Sequence, residues 1–321
     1  MGGEMLNIKE GLYFDAAQAV SEIEQFIRSE VHRLGKRGVV LGLSGGLDST
    51  TCAFLCVRAL GRAHVLTYML PERDTNAQNM ADAELVTKTL GLKTIQINIS
   101  SVLETLSVYD LVSSEQAGDR RLIERGIRWI SGLSSTPSAF SEGIALLYNT
   151  KANFWLRMAR WIFWKPLGRI HAFAITKVRQ RMVTLYFHAM VNNCLVVGTT
   201  DRSEWSVSFY DPYGDGASDV QLLRHLYKTQ IRELAKHLEV PARILNKPSS
   251  GDLAAGLPNE SAIGLTYEQL DSILWGMNHG LTEKEIVIQT SVTPADIGAV
   301  KKAISLARLR ESLPSMLPVL P

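Results

Sequence analysis

The sequence has little that would support a disulfide scaffold, a membrane span or a strong electrostatic field. Its 321 residues include three cysteines, too few for a disulfide framework and typical of a reducing compartment. Acidic residues stand near the start, where a secretory signal needs a basic region and an apolar run. Without a charge-free apolar stretch of about 18 residues, a spanning helix is not expected. The net charge of +2 indicates no whole-molecule attraction to nucleic acid. We expect a cytoplasmic globular protein.

Strands and helices alternate over the first hundred residues. An amphipathic helix is predicted over 15–34, where apolar residues recur every three or four positions up to a capping Gly35. Short apolar runs predict buried strands, and helical stretches separate them: strands 38–43, 65–70 and 94–99, helices 51–60 and 76–90. This order predicts an α/β fold with a parallel sheet.

The second half of the chain is mostly helical in pattern. Residues 100–174 interrupt the alternation and show no clear strand, after which a helix over 179–189 and a strand over 195–198 are predicted. Further helices are predicted at 227–238, 267–276, 282–290 and 294–308. We expect a single domain over 1–321 with helices at its C-terminal end.

A glycine-rich loop, Ser44-Gly-Gly-Leu-Asp-Ser49, stands between a predicted strand and a predicted helix. Its two glycines let the backbone approach a ligand, and the helix start directs free N–H groups at the same point. Ser44 and Ser49 add hydroxyl donors, so the loop is suited to a phosphate. Asp48 would repel a phosphate, and its presence makes sense if it holds a bridging divalent cation. The Walker pattern GxxxxGK[ST] is absent.

The cysteines and histidines show no pattern typical of a metal site. Cys52 and Cys56 share one face of a predicted helix and Cys194 begins a predicted strand, so all three are expected in the core. The seven histidines show no HExxH or comparable spacing. We expect Mg²⁺ at the loop and no zinc.

The loop resembles the pyrophosphatase loop of the ATP pyrophosphatases, which cleave ATP to AMP and pyrophosphate. Later stretches are similar, in order and spacing, to blocks of the ammonia-dependent NAD synthetases: Val178-Arg-Gln-Arg-Met182, Gly198-Thr-Thr-Asp-Arg-Ser-Glu204, Tyr213-Gly-Asp-Gly-Ala-Ser-Asp219, Leu226-Tyr-Lys-Thr-Gln230 and Lys247-Pro-Ser-Ser-Gly-Asp-Leu253. The match covers about 38–100 and 176–275. This resemblance implies a Rossmann-like, doubly wound parallel sheet of the adenine nucleotide alpha hydrolase type, with an inserted segment.

The resemblance also implies roles for individual residues. Asp48 and Glu204 would bind Mg²⁺. Asp48 and Lys228 would be catalytic, with Lys228 neutralising charge on the departing pyrophosphate. Arg179 and Asp219 are linked to the second substrate, deamido-NAD, in the family. ATP would contact Ser44, Gly45, Gly46, Asp48, Ser49, Thr199, Lys228 and Ser250.

The reaction implied is amide formation with ATP as co-substrate. A substrate carboxylate attacks the α-phosphate of ATP, pyrophosphate leaves, and the acyl-adenylate reacts with ammonia. Positioning and charge neutralisation carry such chemistry without a nucleophilic side chain. Little sequence precedes the loop strand at Gly38, so free ammonia or a separate amidotransferase subunit is expected to supply the nitrogen. Family members form a homodimer around the second substrate, and a homodimer is expected here.

Departures from the family pattern fall largely on the side of the second substrate. Pro212 stands where the family often has Lys, Ala174-Ile175 where it has Gly-Asn, and Asn259-Glu260 where it has an acidic pair. The family's His-Lys-Arg segment corresponds to 307–310, which contains no His. Deamido-NAD is therefore the leading substrate, and a different carboxylate is the alternative.

Residues 105–174 are predicted to be an insertion, without regular elements of its own, that reshapes the acceptor site. Between Gly143 and Thr200 there is no Asp or Glu, while basic and aromatic residues are frequent. The stretch 143–181 fits a membrane surface, nucleic acid or a phosphorylated substrate; alternatively, its aromatics pack in a core or dimer interface while the basic groups reach water. A nucleic-acid-modifying enzyme is thus a further alternative, although the CxxC motifs of tRNA-thiolating relatives are missing. An inactive scaffold is disfavoured by the intact acidic and lysine residues.

Overall fold

The structure is a computed structural model that describes residues 6–111, 154–250 and 258–311, with the backbone alone over 154–167. Its strands and helices follow in chain order as α1 (Ile8–Gly11), α2 (Ala16–Arg33), β1 (Val39–Gly42), α3 (Leu47–Leu60), β2 (Val65–Met69), α4 (Ala77–Leu90), β3 (Thr94–Gln96), α5 (Ser100–Thr105), α6 (Phe154–Asn192), β4 (Leu195–Gly198), α7 (Arg202–Ser206), β5 (Val220–Gln221), α8 (Lys228–His237), α9 (Ala242–Leu245), α10 (Asn259–Ile263), α11 (Tyr267–Asn278), α12 (Glu283–Gln289) and α13 (Pro294–Glu311).

The five strands form one parallel sheet in the order β3-β2-β1-β4-β5. Val39 of β1 is paired with Val65 of β2 on one side and with Leu195 of β4 on the other. The chain therefore winds outward from β1 in both directions, and the predicted doubly wound α/β fold is confirmed. The order reverses between β1 and β4, where ligands of such sheets bind outside the carboxyl ends of the strands.

Both faces of the sheet are covered, as parallel sheets require. Val39 and Leu41 point into a cluster formed with α2, α3 and α8, while Val40 points into a second cluster with α5 and α6. The cysteines confirm the prediction of core positions, since all three are buried. Burial raises the pKa of the Cys56 thiol to about 12, which keeps it protonated at neutral pH.

The C-terminal helices enclose a core of their own. Tyr267, Leu270 and Ile273 of α11 pack with Ile286 of α12 and Ile297 of α13. The predicted helices in this part of the chain are confirmed, with ends that differ by a few residues. No helix in the described ranges is both long and apolar enough to cross a bilayer.

Two elements near the site differ from the prediction. Helix α3 begins at Leu47 and not at 51, which brings Asp48 into its first turn. Helix α6 extends over 39 residues from Phe154, so the expectation that 105–174 has no regular elements is wrong for its last third. Packing of the C-terminal part of α6 on the sheet stabilises a helix that Pro166 and Gly168 disfavour locally. Residues 112–153 lie outside the described residues.

A buried ion-pair cluster fixes α6 to the end of β2. The Lys177 ammonium lies 3.0 Å from Glu72 Oε1 and 2.8 Å from Asp74 Oδ2. The Tyr109 hydroxyl donates to Glu72 Oε2 at 2.9 Å, and the Phe173 ring faces the ammonium at 3.9 Å. The carboxylate of Glu72 is buried, so it needs this compensation.

Replacing Lys177→Met is expected to lower the free energy of unfolding by about 3 kcal/mol, because it leaves a buried carboxylate without its counter-charge. Urea denaturation would measure the loss. Lys301→Met is the matched control, since it removes a lysine from a pair with Glu283 in which both side chains are about half exposed and should cost less than about 1 kcal/mol. Equal losses in the two variants would contradict the assignment.

Candidate active site

The predicted phosphate loop connects β1 to α3 at the carboxyl end of the sheet. Gly45 has a φ of +73°, and a Cβ there would lie 2.3 Å from the Asn79 carbonyl oxygen and 2.9 Å from the Ala83 nitrogen, both on α4. Glycine is required, because other residues rarely adopt this φ and the α4 backbone stands in the way of a side chain. The loop is therefore packed directly on α4.

The loop presents hydrogen-bond donors at the start of α3. Gly46 is the N-cap and, having no side chain, makes no capping hydrogen bond to the first N–H groups of this helix. The first N–H groups of α3 and the positive end of its dipole are thus suited to an anion. The hydroxyls of Ser44 and Ser49 lie 3.0 Å apart beside them.

Three carboxylates converge beside this loop. Asp48 lies in the first turn of α3, while Asp201 and Glu204 follow the end of β4. One oxygen from each lies within 4.8 Å of the others. The buried Lys228 ammonium lies among them, 2.8 Å from Asp48 Oδ2, 2.5 Å from Asp201 Oδ2 and 3.2 Å from Glu204 Oε1. The structure thus brings together Asp48, Glu204 and Lys228, the residues to which the resemblance assigned metal binding and catalysis.

The charges of this cluster do not balance. Burial raises the pKa of Asp48 and, more strongly, that of Asp201, although Lys228 opposes both shifts. Burial alone would lower the pKa of Lys228, but the three carboxylates outweigh it and raise that pKa well above its usual value. Three carboxylates and one ammonium leave a formal charge of −2, and Asp48 Oδ1 has no hydrogen-bond partner among the described residues. This all-oxygen set fits a divalent cation such as Mg²⁺.

A second layer of hydrogen bonds from the C-terminal helices orients the cluster. Glu204 Oε1 accepts from the Tyr267 hydroxyl at 2.7 Å and from Asn259 Nδ2 at 3.1 Å. Asp271 accepts from Ser203 Oγ at 2.5 Å and from the Thr229 nitrogen at 2.9 Å, which ties α7 to the start of α8. Asn259 lines the cavity as well as contacting Glu204, and its expected place on the side of the second substrate stays a prediction.

A cavity of about 310 Å³ begins at the loop and extends to α6. Its wall also includes His171, Ile175, Arg181, Tyr210 and Arg310. The predicted site residues on its wall are Ser44, Gly46, Asp48, Ser49, Thr199, Glu204 and Ser250. Gly45 and Lys228 lie behind that wall, so the predicted contact of Lys228 with nucleotide stays a prediction.

The two residues assigned to the second substrate lie apart from the cavity wall. Arg179 Nε and Nη2 donate to the two carboxylate oxygens of Asp211 at 2.8 and 2.9 Å. Asp219 Oδ2 accepts from the Val196 nitrogen at 2.7 Å, where it joins the edge of β4. Their contact with a substrate stays a prediction.

Asp201 and Asp215 are site residues that the sequence analysis missed. Both lie within the blocks that carried the resemblance, and Asp201 follows a strand end directly, which was the available signal. Asp215 lines the cavity, and its Oδ1 accepts from the Asp211 nitrogen at 2.7 Å. Burial raises the pKa of Asp215 to about 7.

Strand order, loop and carboxylate cluster together define an α/β protein whose sheet has, at its switch point, groups suited to an anion and to a cation. The family model for NAD synthase matches residues 19–124 and 171–314. The NH3-dependent NAD(+) synthetase of Thermotoga neapolitana is 34% identical over 294 residues, 90% of this chain and 92% of that protein. The chain belongs to the NAD synthase family, and the family named from the motifs is confirmed.

Solved structures show the same fold. NMN synthetase from Francisella tularensis has a TM-score of 0.65 at 22% identity, covering 96% of this chain and 99% of that chain. NH3-dependent NAD synthetase from Campylobacter jejuni has a TM-score of 0.63 at 23% identity, covering 95% and 100%. The fold is therefore shared with these structures over most of the chain.

The raised pKa of Asp215 predicts a stability that depends on pH. Between about pH 4 and pH 7 the folded protein retains a proton that the unfolded chain has lost, so the free energy of unfolding falls as pH rises through this window. Asp215→Asn removes the titration. Its stability relative to the wild type should therefore increase from pH 4 to pH 8, by about 2–4 kcal/mol.

Urea denaturation at a series of pH values, without Mg²⁺ or nucleotide, would measure this difference. Asp110→Asn removes an exposed carboxylate and serves as the control. A constant difference between Asp215→Asn and wild type across the range would show that Asp215 does not titrate as described.

Proposed function

We propose that this chain is an ammonia-dependent NAD synthetase that forms the amide of NAD from deamido-NAD, ATP and ammonia. The observation that carries the proposal is the meeting of the phosphate loop and the carboxylate cluster of Asp48, Asp201 and Glu204 at the switch point of the sheet. Family membership and the names of the relatives support the same reaction.

The residues of the chain have separate tasks in this proposal. The loop hydroxyls and the start of α3 bind the phosphates of ATP, and Thr199 and Ser250 contact the nucleotide from other parts of the cavity wall. Asp48 and Glu204, joined by Asp201, would hold Mg²⁺, which when bound neutralises phosphate charge. Lys228 fixes these carboxylates and adds a positive charge near the departing pyrophosphate.

Activation of the carboxylate is required because an oxide is a poor leaving group in amide formation. After the carboxylate attacks the α-phosphate, AMP becomes the leaving group. Ammonia then forms the C–N bond, AMP departs with the electrons of the C–O bond, and nitrogen loses a proton. Asp215 is suited to accept that proton, because its carboxyl lines the cavity and its pKa lies near 7. Free ammonia is the proposed donor, with a separate amidotransferase subunit as the alternative.

A different carboxylate substrate is the second candidate. Ile175, one of the departures from the family pattern, lines the cavity, as does Arg310 from the segment that lacks the family's His. We further propose that residues 105–174 contribute to the acceptor site, since His171 within them lines the cavity and α6 continues directly to Ile175, which lines it too. The proposed membrane or nucleic-acid contact of 143–181 rests mainly on side chains outside the described residues.

Pyrophosphate release from ATP tests the function directly. Wild-type protein with Mg²⁺, ammonium and deamido-NAD should release pyrophosphate and form NAD, and nicotinic acid mononucleotide in place of deamido-NAD tests the second candidate. Asp48→Ala should reduce release at least about a hundredfold, as loss of a charge-stabilising group does. Glu283→Ala, on an exposed helix, is the control. Full turnover by Asp48→Ala would remove the metal assignment.

We also propose a homodimer formed through one face of α6. Val183, Phe187, Met190 and Val191 recur at helical spacing and are 61–80% exposed. Such a stripe is typical of a face that packs against another protein, and the homodimer implied by the family supplies a second copy of this chain as its occupant.

Replacing Phe187→Glu together with Met190→Glu should convert the dimer to a monomer, because two charges from each subunit would be buried in the interface. Sedimentation velocity would measure the change. Ile288→Glu alters an equally exposed apolar residue on α12 and should leave the dimer intact. A wild-type monomer, or a double variant that remains dimeric, would contradict the proposal.

A further inference from the structure

Lys247 connects the phosphate loop to α4 and to a third segment of the chain. Its ammonium donates to the Gly45 carbonyl oxygen at 3.3 Å, to Asn79 Oδ1 at 2.5 Å and to Asp82 Oδ2 at 2.7 Å. A lysine ammonium has three donors, and here each has an acceptor. Although Lys247 reaches the cavity wall, this arrangement leaves none of its donors for a phosphate.

Asp82 is the anchor of this connection. Its side chain is 1% exposed and does not belong to the cavity wall. It accepts from Gln78 Nε2 at 2.9 Å, and Arg243 Nε lies 2.8 Å from the same carboxylate. A buried carboxylate at this position needs positive partners. Of the two cations that the described part of the chain places on it, Lys247 also contacts the loop.

The contact with Gly45 determines which way the loop peptide faces. On one side the loop rests against the backbone of α4, as the positive φ of Gly45 and its close approach to Asn79 require. On the other side Lys247 holds the Gly45 carbonyl. The C=O and N–H of a trans peptide point in opposite directions, so the Gly46 N–H is turned toward the Ser44 hydroxyl, 3.3 Å away on the cavity wall.

Lys247 also positions the opposite wall. Pro248, Ser249 and Ser250 follow it directly and line the cavity. The Ser249 carbonyl accepts from the Asn259 nitrogen at 2.8 Å, and the side chain of Asn259 donates to Glu204. One ion pair therefore joins the loop, the segment 248–250 and the carboxylate cluster.

We propose that the Asp82–Lys247 ion pair is the positioning element of the phosphate site: it sets the Gly45–Gly46 peptide and the segment 248–250 in the geometry that binds ATP. The inference rests on the proposed ATP site. It assigns Lys247 a positioning role and not a direct contact with phosphate. It also implies that Asp82 affects nucleotide binding, although Asp82 does not reach the cavity.

Isothermal titration with Mg²⁺ and the α,β-methylene analogue of ATP, which resists cleavage at the scissile bond, tests this without the second substrate. Asp82→Asn and Lys247→Met should each weaken binding about tenfold or more, as loss of a charge-assisted hydrogen bond does. Lys247→Arg, which keeps the charge and the donors, should restore most of the affinity. Arg243→Met removes the other cation of Asp82 without touching the loop, and should change binding less than about twofold.

The outcomes separate the possible roles. If Lys247 contacts phosphate directly, Asp82→Asn frees its ammonium and binding stays equal or tightens, which overturns the proposal. Equal weakening by Arg243→Met and Asp82→Asn, with matching losses in thermal stability, would show a general structural role and also overturn it. If the wild type binds the analogue and the variants bind it equally well, the inference alone is refuted. If the wild type binds no nucleotide, the proposed ATP site is refuted together with the inference.

Discussion

The structure depends on the burial of one ammonium among three carboxylates. Lys228 is fully buried, and its partners Asp48, Asp201 and Glu204 come from the ends of two neighbouring strands and the helices that follow them. Groups of this charge are stable in the interior only when they are paired. The pairing therefore fixes α3, α7 and α8 relative to one another, and it does so at the point where the strand order of the sheet reverses.

The C-terminal helices contribute directly to this arrangement. Asp271 on α11 binds the start of α8 through Thr229, and Tyr267 on the same helix donates to Glu204. Because one helix makes both contacts, it positions Lys228 and the carboxylate of Glu204 relative to each other. The apolar core around α11 thus stabilises the geometry of the charged cluster as well as the fold.

The sequence predicted the sheet and the loop because both are encoded locally. Strand runs, the glycine pair and Asp48 lie within a few residues of one another, so pattern and spacing suffice. Helix α6 was predicted too short because Pro166 and Gly168 disfavour a helix locally and packing against the sheet decides otherwise. Asp201 was missed because an aspartate before a short helix resembles an ordinary N-cap, and it is one here: it accepts from the Glu204 nitrogen at 2.7 Å. Only the fold shows that the same side chain contacts Lys228, which follows it by 27 residues in the sequence.

The lysine also explains how the site keeps its shape before ligands bind. Three carboxylates alone would repel one another, and the helices that carry them would separate or the groups would take up protons. An ammonium on a covalent stem opposes both effects, and it cannot diffuse away as a free cation does. It leaves a formal charge of −2, which a single divalent cation balances, and Asp48 Oδ1, on a residue of the cavity wall, has no hydrogen-bond partner among the described residues. The cluster is thus preorganised for one cation, which lowers the reorganisation that binding requires.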